Sequence, residues 1–298
     1  MKKGFKEAFQ AIQERYKTHN AKQGFQSDEE REVYFLYRTP ATQAVLRKVL
    51  GCLEGKNLKT ALELGSGPGS SYPVLKDLFF EKIVYIEKEE GFRREYTDVS
   101  WIMRNFLEDF AYPESDLVLF SYSLGELNSE EQGVVLGRAL KAMKKTIVIV
   151  EPGTPAGYTT LMRARDFLIQ QGCTIHAPCY HDGRCPKSVE RWCHFSVRLE
   201  RSREHRQIKG GTLGYEDEKF CYIVASFESS QESNFEKFFT ILDTPKIEKH
   251  RLQMTLCTPD GEKIFECKAK NKELFKILKK KGWGEKVESD IISGSYPL

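Results

Sequence analysis

The stretch LKTALELGSGPGS, residues 58–70, places a short apolar run directly before a glycine-rich turn. The amphipathic segment PVLKDLFF follows at 73–80, and a second apolar run, KIVYIEKEE, occupies 82–90. An apolar run that ends in a Gly-rich turn is typical of a strand that leads into a helix. The sequence therefore predicts a strand, a helix and a second strand, with the turn at 65–69 between the first two elements.

The same alternation continues downstream. The runs DLVLFSYSLGEL at 116–127 and KTIVIVEPG at 145–153 predict two more strands, and helices are predicted at 129–143 and 159–172. The segment EYTDVSWIMRNF at 95–106 is also predicted to be helical. Strands that alternate with helices at this spacing favour an α/β fold with a parallel sheet covered on both faces.

Changes in pattern divide the chain into regions. The four predicted regions are N-terminal helices at 1–57, a Rossmann-like α/β core at 58–172, a Cys- and Arg-rich region with one further core strand at 173–235, and a small β-rich appendage at 236–298. Within the first region, Thr39-Pro40 predicts a break where Thr39 caps a new helix.

The composition is that of a globular protein. The 298 residues include 40% hydrophobic and 30% charged residues, and the net charge is +3. No run approaches the ~18 consecutive apolar residues of a membrane span, so no membrane partner is expected. The N-terminal amphipathic segment carries Glu7 and Glu14, and acids are unusual in organelle transit peptides. A cytoplasmic location is therefore expected, and a monomer is taken as the default state.

The glycine-rich turn lies where parallel α/β sheets bind ligands, at the carboxyl ends of the strands. Glycines let a ligand approach the backbone, and the following helix N-terminus favours a negative group such as the carboxylate of S-adenosylmethionine (SAM). Glu87 ends the second strand, where a carboxylate can accept hydrogen bonds from two ribose hydroxyls. The predicted cofactor-binding residues are Glu63, Gly65, Ser66, Gly67, Gly69, Glu87, Ser121 and Tyr122.

A dinucleotide is the main alternative ligand for such a turn. The dinucleotide fingerprint needs a third glycine or alanine, and the corresponding position holds Ser70. An acid directly before the turn, here Glu63, also fits SAM enzymes better than dehydrogenases. SAM is therefore favoured over NAD.

The sequence does not identify a catalytic residue. The Asn/Asp-Pro-Pro-aromatic turn of some amine methyltransferases is replaced by SYSLGE at 121–126, and EPGTP at 151–155 lacks the cysteine that base-carbon methyltransferases often use. Tyr122, Glu126 and Glu151 are candidates, although each fits a structural or cofactor-lining role better. Methyl transfer from an activated sulfonium mainly requires alignment of the reactants, so a SAM-dependent methyltransferase stays the hypothesis.

Three of the eight cysteines lie in one short polar segment, at Cys179, Cys185 and Cys193. Cys257, directly before the turn TPDG, is the best candidate for a fourth ligand. Four thiolates can bind Zn²⁺ or an iron–sulfur cluster.

The spacing of these cysteines bears on the choice of metal. Zinc sites usually use tight Cys-x2-Cys pairs, whereas these intervals are wide, and Cys185-Pro186 is typical of ferredoxin-type ligation. A 4Fe-4S cluster with a structural role is favoured, with zinc as the alternative. His181 or His194 could replace one cysteine as a ligand.

Basic residues concentrate in two segments. The arginine segment, 184–209, holds eight bases against three acids: Arg184, Lys187, Arg191, Arg198, Arg201, Arg203, Arg206 and Lys209. The lysine segment, 268–281, is also basic. Arginines on a rigid support suit phosphate recognition in structured RNA, so the arginine segment is the predicted RNA-binding surface.

Several stretches together resemble one known family. They are YRTPAT at 37–42, EPGTPAGY at 151–158, HAPCYHDGRCP at 176–186, RWCHFSVRLERSREHR at 191–206, YEDEKFCYIVAS at 215–226, LCTPDG at 256–261 and KGWGE at 281–285. With them the chain resembles the methyltransferase-like protein 17 family, which includes mitochondrial small-ribosomal-subunit assembly factors and their bacterial relatives. The short N-terminal region is more similar to a bacterial relative.

The resemblance implies a SAM-type Rossmann domain and a 4Fe-4S site. Motif by motif, the cluster ligands would be Cys179, Cys185, Cys193 and Cys257, and the SAM turn would be residues 63–69. The implied partner is the small ribosomal subunit with its rRNA. Three functions stay open: rRNA methylation, subunit assembly with the SAM fold as a scaffold, and methylation of a small molecule or protein.

Overall fold

The computed structural model describes residues 4–17, 24–209, 211–227 and 238–293. The chain forms two compact units. The first unit comprises Met1–Lys145 and Val197–Glu218, and the second comprises Thr146–Ser196 and Lys219–Leu298. The four regions inferred from the sequence stay a prediction.

The helices are α1 Phe5–Lys17, α2 Asp28–Leu50, α3 Tyr72–Asp77, α4 Ser129–Ala142, α5 Pro155–Gln170, α6 Arg203–Lys209, α7 Lys272–Leu278 and α8 Ser289–Ser293. The strands are β1 Thr60–Leu64, β2 Lys82–Glu87, β3 Val99–Met103, β4 Ser115–Ser121, β5 Met143–Pro152, β6 Thr174–Ala177, β7 Phe195–Glu200, β8 Tyr215–Ser226, β9 Phe238–Ile241, β10 Lys246–Ile247, β11 Arg251–Thr258, β12 Gly261–Lys268 and β13 Lys286–Glu288. None of the helices in the described ranges is both long and apolar enough to cross a membrane.

Parallel strands form the sheet of the first unit, in the order β3-β2-β1-β4. Apolar residues fill these strands because both faces are covered, and β1 is buried from Ala61 to Leu64. The strand order reverses at β1, which has β2 on one side and β4 on the other. Such a reversal leaves a crevice at the carboxyl ends of the strands. The Rossmann-like α/β fold predicted from the sequence is confirmed.

Strand β3 lies where the sequence analysis predicts a helix, so that prediction is wrong. Val99–Met103 pairs in parallel with Ile83–Glu87 of β2. The run Val-Ser-Trp-Ile-Met is rich in β-branched and aromatic residues, which favour a strand. Pairing with β2 also satisfies the backbone groups of this segment.

Helix α2 passes through Pro40 without the predicted break. Proline removes one helical hydrogen bond at a cost, but fully buried side chains such as Val33 and Val45 lie on either side of it. Burial of both halves therefore keeps them in one helix. Thr39 does not cap a new helix; its Oγ1 lies 2.8 Å from Oγ of Ser70, in the glycine-rich turn.

Antiparallel pairing dominates the second unit. Strand β8 pairs with β5 on one side and with β6 on the other. A second sheet has the order β10-β11-β9-β13, with β12 on β11, and its core contains Ile241, Leu252 and Met254 together with Leu278 of α7. We call this sheet the appendage sheet; a separate β-rich region at 236–298 stays a prediction.

Candidate functional site

A cleft of about 340 Å³ opens at the carboxyl ends of β1, β2 and β4 in the first unit. Its size lies within the ~300–1,000 Å³ range of small-molecule sites. Seven of the eight predicted cofactor residues line it: Glu63, Gly65, Ser66, Gly67, Glu87, Ser121 and Tyr122. Gly69, the eighth, is packed against the rings of Tyr85 and Tyr96.

The glycines of the turn have different surroundings. A Cβ atom on Gly65 would lie 2.6 Å from Cβ of Ser123, and one on Gly69 would lie 2.9 Å from the Tyr85 ring. A Cβ atom on Gly67 would meet nothing within 4 Å. Gly65 and Gly69 therefore serve the packing of the turn, whereas Gly67, with a φ of +54°, borders open space where a ligand can approach the backbone.

Glu87 joins the end of β2 to the glycine-rich turn. Its carboxylate accepts hydrogen bonds from the backbone N–H of Gly67 at 2.8 Å and of Glu89 at 2.9 Å. Burial raises the pKa of Glu87 above its usual value, while these backbone donors oppose that shift. Each carboxylate oxygen still has a lone pair for a further donor, such as a ligand hydroxyl.

Glu63 lies two residues before Gly65 and is buried beside Ser71, which follows the glycine-rich turn. The Ser71 hydroxyl donates a hydrogen bond to Glu63 and lies 2.9 Å from the hydroxyl of Tyr85. Burial raises the pKa of Glu63 to about 8, against the opposing effect of the Ser71 hydrogen bond. Glu63 therefore keeps its proton at neutral pH and acts as a neutral hydrogen-bonding group.

Two buried hydroxyl groups at the cleft have no hydrogen-bond partner among the described residues. The buried Oγ atoms of Ser66 and Ser121 make no hydrogen bond to any residue in the described part of the chain. A buried polar group left unpaired costs about 1–3 kcal/mol. A bound ligand or an ordered water would remove this cost, so both hydroxyls are candidate ligand contacts.

Arg38 of α2 is a cleft residue that the sequence analysis did not select. Its Nη1 donates to Oε1 of Glu218 at 2.6 Å, and its guanidinium lies 4.3 Å from the centre of the Tyr122 ring. Tyr122 itself has a φ of +63°, an uncommon conformation for a residue other than glycine. In the sequence, Arg38 stands out only as part of the family-like stretch YRTPAT at 37–42, and no role was predicted for it.

The candidate catalytic residues fall into different environments. Tyr122 and Glu126 both line the cleft. Glu151 belongs to the second unit, where it is buried on β5 opposite Cys221 of β8. Its surroundings are those of a strand interior, which fits the structural role considered for it.

The four predicted metal ligands border one cavity in the second unit. Cys179 follows β6, Cys185 and Cys193 lie between β6 and β7, and Cys257 lies in β11. Cys221 of β8 borders the same cavity, but its thiol donates to the backbone oxygen of Pro152 at 3.3 Å. Segments distant in sequence thus bring four soft donors to one place.

His181 completes a compact group with two of these cysteines. The candidate ligand atoms of Cys179, His181 and Cys257 all lie within 4.8 Å of one another. Nε2 of His181 is 3.4 Å from Sγ of Cys257, and its buried Nδ1 has no hydrogen-bond partner within the described ranges. The sequence analysis treated His181 only as a substitute ligand; the fold makes it a direct neighbour of the thiols.

The thiols perturb one another. A hydrogen bond from Cys257 lowers the pKa of Cys179, and the same bond raises the pKa of Cys257. Burial raises the pKa of Cys185 and Cys193, and the neighbouring thiolates add to this effect. Four thiolates in one cavity would repel one another, and a metal ion is the kind of cation that compensates such charges.

Arg165 of α5 is hydrogen-bonded to the loop that carries Cys179 and Cys185. Its side chain is 2% exposed, and its Nη2 donates to the backbone oxygens of His181 at 2.9 Å and Gly183 at 2.7 Å. Its positive charge also contributes to lowering the pKa of Cys179, after the larger effect of the Cys257 hydrogen bond. Arg165 therefore both orders the loop and favours the thiolate form.

Mitochondrial proteins from two eukaryotes are similar to part of this chain. Ribosome assembly protein METTL17, mitochondrial, from Homo sapiens is 26% identical over 198 residues, which cover 61% of this chain and 41% of that protein. Rsm22-cox11 tandem protein 2, mitochondrial, from Schizosaccharomyces pombe is 30% identical over 157 residues, or 43% and 21% of the two chains. The matched region thus spans less than half the length of either relative.

Solved structures also resemble the chain. A SAM dependent methyltransferase from Aquifex aeolicus has a TM-score of 0.44 at 15% identity, over 68% of this chain and 99% of that one. The model of the family described as mitochondrial small ribosomal subunit Rsm22 matches residues 28–288. This match covers most of the sequence and confirms the resemblance found there, so the chain belongs to the Rsm22 family.

Proposed function

We propose that this protein binds SAM in the cleft of the first unit and acts in the assembly of the small ribosomal subunit. The observation that carries the SAM assignment is the pair of unpartnered hydroxyls, Ser66 and Ser121, in a cleft where Gly67 faces open space. The family and the printed name of the human relative support the role in assembly.

The groups around the cleft suit the parts of SAM. Glu87 can accept hydrogen bonds from ribose hydroxyls while it holds the turn, and the turn offers backbone to the methionine end. Gly67 leaves room for this approach. The neutral form of Glu63 avoids a second full negative charge near Glu87.

The proposal includes a metal centre on Cys179, Cys185, Cys193 and Cys257. A 4Fe-4S cluster is favoured, because the sulfurs of a single tetrahedral zinc lie only about 3.8 Å apart, given a Zn–S bond of about 2.3 Å. Cys185 and Cys193 border the cavity but lie outside the compact group of Cys179, His181 and Cys257. Zinc held by that compact group is the alternative.

The role proposed for the metal is structural. Its ligands come from the loop after β6 and from β11 of the appendage, which are far apart in sequence. A bound metal would join these two segments of the second unit and stabilise them, since metal binding adds directly to folding free energy. Anaerobic purification tests the metal: a brown protein with a band near ~400 nm supports iron–sulfur, and a colourless zinc-loaded protein supports the alternative.

Methyl transfer to rRNA is the enzymatic form of the proposal. The activated sulfonium needs little more than alignment with the acceptor, and Tyr122 and Glu126 are in the cleft to contact it. Incubation with methyl-labelled SAM and immature small subunits tests this form. Label in the rRNA supports methylation; label in protein or in a small molecule supports the third function considered.

A scaffold role is the second candidate, favoured by the missing amine-methyltransferase turn at 121–126. In that case the protein binds the immature subunit and supports its maturation, and no label is transferred. Absence of any affinity for the subunit would contradict both forms. A cytoplasmic location stays a prediction, since the relatives carry mitochondrial descriptions. A monomeric state stays a prediction as well.

A further inference from the structure

The two basic segments differ in how their charges are compensated. In the second unit, two residues of the arginine segment share one acid of β12: Lys187 lies 2.7 Å and Arg191 3.1 Å from Glu262. Lys187 is only 13% exposed. These cations already hold a loop against the appendage sheet, so part of the arginine segment serves the fold of the second unit.

The remainder of the arginine segment, in the first unit, is paired in the same way. Arg198 lies 2.7 Å from Asp217. Arg201 and Lys209 each lie 2.5 Å from Glu216, which is only 10% exposed. Five of the eight bases therefore form ion pairs, with three acids between them. In the described ranges, Arg184, Arg203 and Arg206 form no ion pair.

The lysine segment shows the opposite pattern. It holds seven lysines and a single acid, Glu273. Within the part of the chain that the structure describes, none of these lysines forms an ion pair, and all of them except the half-buried Lys281 are exposed. Lys272, Lys276 and Lys280 follow at intervals of four residues along and just beyond α7, so they lie on one side of it.

A depression of about 580 Å³ lies beside α7. Lys276, Lys280 and Lys281 border it, together with Ile277, which is 41% exposed. The two acids at its edge are Glu273 and Glu285, and Glu285 accepts a hydrogen bond from the backbone N–H of Gly282 at 2.5 Å. The depression thus combines three unpaired ammonium groups with an apolar contact surface.

We propose that this lysine face, formed by Lys272, Lys276, Lys280 and Lys281, binds the phosphate backbone of RNA, in place of the arginine segment. An unpaired exposed ammonium can neutralise a phosphate and release its counterion without first breaking an internal ion pair. Lysine acts there as a point charge that positions a backbone and reads no base. The proposal rests on the proposed function, which makes rRNA the relevant RNA.

Two triple variants with the same loss of charge test the proposal in the full-length, metal-loaded protein. The first is Lys276→Gln with Lys280→Gln and Lys281→Gln. The second, the matched control, is Arg184→Gln with Arg203→Gln and Arg206→Gln, which removes the unpaired bases of the arginine segment and breaks no ion pair. The probe is transcribed small-subunit rRNA, and its Kd is measured from low to moderate KCl.

The lysine variant is expected to bind rRNA about 10- to 100-fold more weakly at moderate salt, with a log Kd–log salt slope reduced by about two, since each phosphate contact contributes about 0.7–0.9. The arginine variant is expected to stay within about threefold of the unaltered protein. All six side chains lie at the surface or close to it, so both variants should keep the fold. Circular dichroism checks this, and an unchanged spectrum excludes misfolding.

An equal or larger loss in the arginine variant would overturn the proposal. So would lysine-dependent binding to phosphatidylserine vesicles with rRNA affinity unaffected, since the face would then serve an anionic membrane surface. Absence of rRNA binding by the unaltered protein would instead remove the RNA part of the proposed function itself, and the lysine face with it.

Discussion

The cleft of the first unit and the cysteine cavity of the second are built on different principles. The cleft is shaped by backbone: strand ends, a glycine-rich turn and two unpartnered hydroxyls. The cavity is shaped by side-chain chemistry, with thiols from the β6–β7 loop and from β11 brought to one place. The first can form before its ligand arrives, whereas the second gathers groups that perturb one another's pKa until a cation is present.

The two sites are therefore sensitive to different changes. Packed parallel strands hold the cleft, so removal of its ligand leaves the first unit folded. Under the proposed function the cavity would depend on a metal for stability, because the binding free energy of a structural metal is part of the folding free energy. Metal loss and ligand loss should therefore have unequal consequences, and four substitutions test this expectation.

The largest effect is expected from Cys257→Ala. It removes the thiol that joins the appendage to the metal, so metal content should fall below about a tenth of normal and the thermal transition should drop by many degrees. Metal analysis and calorimetry measure both. Cys221→Ala is the matched control, since Cys221 borders the same cavity but its thiol donates a hydrogen bond to a backbone carbonyl. Equal metal loss in the two variants would contradict the ligand assignment.

Gly67→Leu should weaken SAM binding about 100-fold, or about 2.8 kcal/mol, because the new side chain enters the open space of the cleft. Calorimetric titration with SAM measures the change. Gly55→Leu is the control. Gly55 has a similar φ of +77° and nothing within 4 Å of a Cβ atom placed on it, but it lies in an exposed turn. Retained SAM affinity in Gly67→Leu would remove the cleft as the SAM site.

Arg165→Gln should speed metal loss to a chelator about tenfold. Removal of a residue that orients metal ligands typically lowers metal affinity about 10- to 100-fold. The substitution removes both the charge and the bonds to the carbonyls of His181 and Gly183. Arg163→Gln, on the exposed side of α5, is the control. Identical release rates in the two variants would show that Arg165 has no part in holding the metal.

The last substitution concerns Glu63 and the pH dependence of stability. Its pKa rises from the ordinary value of 4.5 to about 8, so the folded state binds a proton that the unfolded state releases. The contribution of this group to stability therefore falls as pH rises through that window. Glu63→Gln should therefore gain stability relative to the unaltered protein as the pH rises from about 5 to about 8.

Urea unfolding across this pH range measures the gain. Exposed Glu54→Gln provides the control and should follow the unaltered protein at every pH. A pH-independent difference for Glu63→Gln would mean that this carboxyl is ionised in the folded protein.

Local sequence determined the parts of the molecule that depend on local backbone. The run before Gly65 specified a strand and its turn, and alternation of strands with helices specified the Rossmann-like core, since periodicity and glycine positions act over a few residues. The thiols of Cys179 and Cys257 were singled out by residue type, because soft ligands are rare and chemically distinctive.

Tertiary structure alone decided what depends on distant partners. Strand β3 formed because β2 was there to pair with it, and α2 continued through Pro40 because burial on both sides outweighed one lost hydrogen bond. Arg38 reached the cleft from a helix far upstream. Most bases of the arginine segment met acids that no local pattern reveals, since charge in a sequence says nothing of its pairing until the chain folds.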